Sequence, residues 1–127
     1  MTESSIALGL YTVYQHACEN FPQTIAAVAK MGYQGVEMYG EPEQFPAERV
    51  KEVLAACGVA LVGWHIEWKH LQPNTIEESI AFFHKAGLKN VIIPCLGGKW
   101  GIGHTPSEES EERWNEYLEQ IEMIRSR

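Results

Sequence analysis

Four short runs with apolar clustering or alternation, Ile6–Thr12, Gly35–Tyr39, Val59–Glu67 and Asn90–Leu96, are separated by longer stretches whose apolar residues recur every three or four positions. The first pattern predicts β-strands and the second predicts amphipathic helices, so the chain reads β-α-β-α throughout. Helix one is predicted from about Pro22 to Met31 with Ile25, Val28 and Ala29 inward, and helix two from about Pro46 to Cys57 with Val50, Val53 and Leu54 inward. Helix three is predicted from Asn74 with the stripe Ile76, Ile80 and Phe83, and helix four from Thr105 with Trp114, Leu118, Ile121 and Ile124.

The boundaries carry their own signals. Asn74 to Glu77 and Thr105 to Glu108 have the spacing of capping boxes, and Pro22, Pro46 and Pro106 stand where a first helical turn tolerates proline. Met31-Gly32, Cys57-Gly58 and Ala86-Gly87 each place glycine at an expected left-handed C-cap just before a strand, marking three equivalent βα units. Repeated βα units require a parallel sheet, either a doubly wound open sheet or a barrel. The barrel is favoured because no GxGxxG or GxxxxGK[ST] follows the first strand. In strand three, alternation also assigns Ala60, Val62, Trp64 and Ile66 to the helix side and Leu61, Gly63, His65 and Glu67 to the other side. That second face turns polar toward its C-terminal end, where barrel enzymes place their chemistry.

Composition narrows the function. With 127 residues and 45% hydrophobic content the chain fits one globular domain, and its formal charge of -7 argues against nucleic acid or an anionic membrane as partner. A small, neutral or metal-chelated ligand is the expected partner. Cys18, Cys57 and Cys95 are odd in number and form no CxxC pair, so neither a disulfide framework nor a thiolate zinc site is indicated. The start lacks the features of a signal peptide and no apolar run has membrane-spanning length, so a soluble, cytoplasmic protein is expected.

IALGLYT at Ile6–Thr12, MGYQGVEMYG at Met31–Gly40, CGVALVGWHIE at Cys57–Glu67 and AGLKNVIIPCLGG at Ala86–Gly98 together resemble the sugar phosphate isomerase/epimerase members of the xylose-isomerase-like TIM-barrel superfamily. The resemblance extends over essentially the whole chain. It implies a (β/α)8 barrel with a divalent metal (Mn, Mg, Zn or Co) held by glutamate, aspartate and histidine from strands five to eight. It also implies metal-assisted proton transfer between adjacent carbons of a small sugar or polyol. A complete barrel takes roughly 250 residues, and four strands are present here. Residues 1–127 are therefore expected to be a single α/β half-barrel domain, (β/α)4, the N-terminal half and a fragment of a longer enzyme. Alone it is expected to be inactive and to bind no metal. Its two open sheet edges are expected to associate, most simply as a homodimer.

Within that frame, Glu37 and His65 are the candidate catalytic or substrate-facing residues. Glu37 corresponds to the acidic residue of the family's strand-two motif, favoured for positioning over direct catalysis, and His65 to its strand-three histidine. Structural alternatives stand beside each: a carboxylate bonded to rim amides, and a satisfied core histidine. Glu67, two residues from His65 on one strand face, is read as substrate-binding, since two ligands at one strand would make only an incomplete metal site. Tyr11 and Tyr39 are expected to end strands one and two on the inner side, and Trp68 and Trp100 are candidate aromatic platforms for a sugar face. Trp64 is assigned by alternation to the helix-facing layer. Lys99 and His104, in the glycine-rich stretch after strand four, are candidates for an anion or for a plain active-site loop. His16, His70 and His84 have no partners at ligand spacing and are read as surface or core residues. Cys95 is read as a small buried residue, and Glu108 to Glu112 as a solvated helix start. Two other readings compete: an inosose dehydratase or hydroxypyruvate isomerase-like parent, and a non-catalytic half-barrel module that self-associates.

Overall fold

The computed structural model describes residues 5–96 and 109–127. Its elements run β1 (Ala7–Gly9), a 3-10 turn (Leu10–Val13), α1 (Tyr14–Glu19), α2 (Phe21–Lys30), β2 (Gly35–Tyr39), α3 (Ala47–Cys57), β3 (Ala60–His65), a second 3-10 turn (Trp68–Leu71), α4 (Ile76–Ala86), β4 (Val91–Ile92) and α5 (Glu111–Arg125). Helix starts and ends follow local chemistry. Asn20 caps α2, its side chain accepting from the Gln23 amide at 3.1 Å, and Pro22 falls in the first turn. Gly58 and Gly87 end α3 and α4 in the left-handed conformation, which glycine adopts without a Cβ clash. The Asn74–Glu77 capping box does not form. Thr75 is the N-cap instead, and its hydroxyl donates to the Lys69 carbonyl at 2.9 Å, tying the helix start to the preceding 3-10 turn. Ser110 caps α5 by accepting from the Arg113 amide at 3.2 Å. Thr105 and Pro106 lie outside the described residues.

All four strands pair in parallel in the order β1-β2-β3-β4. Each crossover steps one strand further in the same direction, so the sheet has no switch point. Right-handed crossovers that never reverse put every helix on one face, as in a barrel and unlike a doubly wound sheet. The helix-facing core joins Val36 and Met38 of β2, Trp64 of β3, Leu10 of the first turn, and the inward stripes of α2 (Phe21, Ile25, Val28) and α3 (Val50, Val53, Leu54). A second cluster of Ile66, Leu71 and Phe83 receives Ile124 of α5, and Gln120 of that helix donates to the Leu71 carbonyl.

Three expectations need correction. The alternation of β3 is broken: Val36 pairs with Leu61 but Glu37 with Gly63, so Val62 is an extra residue. Leu61 therefore packs on the core while Ala60 and Val62 are exposed, the reverse of a strict period of two, and the expected sides hold only from Gly63 onward. The first strand stops at Gly9. Leu10, fully buried, turns the chain into the core, and the Thr12 hydroxyl donates back to the Gly9 carbonyl at 2.9 Å. On α5 the stripe is centred on Tyr117, which is buried, while Leu118 is 61% exposed because it points away from the docking side.

Candidate functional site

At the C-terminal end of the sheet, Tyr39 of β2 pairs with His65 of β3, and Glu37 stands one pleat earlier on the same face. His65 leans back across the strand pair, and its Nε2 lies 2.5 Å from Glu37 Oε1. Gly63, opposite Glu37, keeps this floor low: a Cβ there would sit 2.8 Å from Ile92 Cδ1 and 3.5 Å from Glu37 Cγ. The carboxylate accepts from Nε2–H, which leaves Nδ1 as the ring atom with a lone pair. Such a pair can take a proton from a ligand hydroxyl or hydrogen-bond to it, the carboxylate stabilising the imidazolium that results.

A second acidic centre lies beside it. Glu41, just beyond β2, meets Lys69 Nζ at 2.8 Å and His70 Nε2 at 2.5 Å, and Lys69 also reaches Glu67 Oε2 at 3.0 Å. Partial burial pushes the Glu41 carboxyl up, but the hydrogen bonds and charges of Lys69 and His70 outweigh it and hold the group below its ordinary range. Bonding to Glu41 first, and then to Glu67, raises the Lys69 ammonium. Glu67 thus pairs with Lys69 and not with His65, its neighbour on a simple alternating strand. His70, read from sequence as a surface or core residue without partners at ligand spacing, is a partner of Glu41.

Three tyrosines wall the site. Tyr39 meets Tyr11 edge-on at 4.9 Å, Tyr14 at 5.1 Å and the His65 ring at 6.2 Å. Tyr11 reaches it from the 3-10 turn, not from a strand end as expected, and is 68% exposed. Together with Glu41, Glu67 and Pro94, these rings line an open cavity of about 540 Å³. Trp68 is placed elsewhere, edge-on against Tyr117 of α5 at 5.7 Å. Trp64 is fully buried on the helix side as assigned, its Nε1 donating to the Gly40 carbonyl at 3.0 Å. Lys99, Trp100 and His104 lie outside the described residues. Sequence reasoning missed Tyr14, Glu41 and His70, and the run Tyr39-Gly40-Glu41 at a strand end was the signal available for Glu41.

Among the described residues no group of three or more His, Cys, Asp or Glu is arranged to hold a metal ion. Among the same residues no helix is long and apolar enough to cross a membrane.

No protein-family model matches the sequence, and no curated protein matches it. Solved structures do. The chain is similar to a sugar phosphate isomerase/epimerase from Parabacteroides distasonis ATCC 8503, with a TM-score of 0.60 and 15% identity over 98% of this chain and 49% of that one. It is also similar to a xylose isomerase-like TIM barrel/4-hydroxyphenylpyruvate dioxygenase fusion protein, with a TM-score of 0.51 and 16% identity over 69% of this chain and 16% of that one. The fold is therefore that of half a TIM barrel, and the chain spans about half the length of the Parabacteroides protein.

Proposed function

We propose that this chain forms the substrate-side half of an isomerase or epimerase-like barrel acting on a small sugar or polyol. The observation that carries the reading is the Glu37–His65 pair, 2.5 Å apart at the C-terminal ends of adjacent parallel strands, next to a tyrosine-walled cavity. Tyr39 and Tyr11 offer ring faces and hydroxyls to a polyol, and His65, oriented by Glu37, accepts from a ligand hydroxyl or holds its proton. In a metal-dependent proton transfer the ion would polarise the carbonyl and hydroxyl of the substrate. Its ligands are assigned by this proposal to strands other than β1–β4.

Amide spectra of the chain titrated with glucose and with myo-inositol test the reading. Saturable millimolar shifts centred on Tyr39 and His65, lost in His65→Ala, are expected, as is no sugar turnover by the chain alone. Absence of saturable shifts with either polyol counts against the proposal.

A second reading is favoured by a different observation. Val62, on the face that no described helix covers, and Val91, on the edge strand, are each 37% exposed, and Ile6 beside β1 is 61% exposed. These suit a half-barrel that pairs with a second copy of itself.

A further inference from the structure

Around the cavity, among the described residues, three carboxylates stand together: Glu41 and Glu67 in its lining, and Glu37 behind His65. Each basic group beside them is already engaged. Lys69 bridges Glu41 and Glu67 at 2.8 and 3.0 Å, His70 bonds the other oxygen of Glu41 at 2.5 Å, and His65 bonds Glu37 at 2.5 Å. The Tyr14 hydroxyl donates to Gln44 Oε1 at 2.6 Å, so its proton is spent as well. Besides Nδ1 of His65 and the third N–H of Lys69, the groups that remain for a ligand among the described residues are carboxylate oxygens, which accept, the hydroxyls of Tyr11 and Tyr39, and the faces of their rings.

That inventory complements hydroxyl groups and C–H faces. A sugar or cyclic polyol donates to carboxylates and packs its apolar face on tyrosine. A phosphate monoester would instead bring a dianion among three carboxylates, with Lys69, His65 and His70 each already bonded to one of them. The lowered Glu41 carboxyl keeps that repulsion in force at neutral pH.

Resting on the sugar-pocket reading above, we propose that this cavity selects an uncharged polyhydroxylated ligand, a free sugar or cyclic polyol, over the corresponding phosphate ester. Calorimetry of the chain with glucose against glucose phosphate, and myo-inositol against inositol monophosphate, at matched ionic strength, tests the selection. The neutral member of each pair is expected to bind about tenfold or more tightly, and Glu67→Gln, at an exposed position, is expected to narrow the gap by improving ester binding. Ester binding equal to or tighter than that of the neutral ligand overturns the inference while leaving a sugar pocket in place. A gap unchanged in Glu67→Gln overturns it too, since carboxylate charge is then not its cause. Failure of all four ligands to saturate defeats the underlying pocket reading along with it.

Discussion

Gly40 shows how tightly single residues are held at the mouth of this sheet. Its φ of +122° is a conformation L residues rarely adopt, and a Cβ there would fall 2.7 Å from Phe45 Cε2 and 3.1 Å from Tyr14 Cε2. Its carbonyl also receives the Trp64 indole. Gly40→Ala is therefore expected to destabilise the fold by about 2 kcal/mol or more, read as a lowered urea midpoint. A wild-type midpoint would show that the rings yield freely. Which residues sequence could reveal depended on whether they lie on a regular strand. Glu37, Tyr39 and His65 were legible because β2 and the end of β3 keep a period of two. The Glu41–His70 bond was not, because it joins two irregular segments 29 residues apart and no local pattern reports on it.

Between elements, the same bond set fastens the exit of β2 to the 3-10 turn after β3. The Glu41 carboxyl is depressed on folding, so its contribution to stability is fully present above the ordinary carboxylate range and is lost as pH falls through its lowered value. Lys69 is raised, so its contribution persists at neutral pH and is lost only as pH rises through its folded value. Glu41→Gln is accordingly expected to lower the thermal midpoint at neutral pH, with the difference from wild type shrinking below about pH 4. An equal difference at acid and neutral pH would mean that the carboxylate's charge plays no part. Most elements were legible from capping and periodicity, since α2, α3 and β2 fall within a residue of their predicted limits. The first strand overran because Tyr11 and Thr12 have strand-favouring side chains, while burial of Leu10 decides the backbone there.

For the molecule as a whole, four parallel strands with helices on one side leave the other side and both edges without cover from the described residues. The half-barrel itself was legible, because three glycine-capped βα units repeat and the strand order then follows from chain connectivity. What closes it was not, since that depends on surfaces outside the repeat. The self-association proposed above is expected to appear as a concentration-dependent monomer–dimer equilibrium in sedimentation, shifted toward monomer by Val91→Lys on the β4 edge. A single monomeric species at every concentration, unchanged by the variant, would remove that reading and leave the polyol pocket to stand alone.

The surplus residue in β3 reaches beyond this chain. Val62 leans over Gly35, its Cγ1 2.8 Å from where a Cβ would be, and fills the hollow that glycine leaves. Because Leu61 and Gly63 flank it on consecutive partners of β2, the strand would keep every other side chain on its present side if that one position were skipped. Proteins whose third strand lacks the insertion must be aligned with a one-residue gap there. Matched without it, the histidine at the barrel mouth would be equated with an indole on the opposite surface, and its counterpart would be sought in the wrong layer.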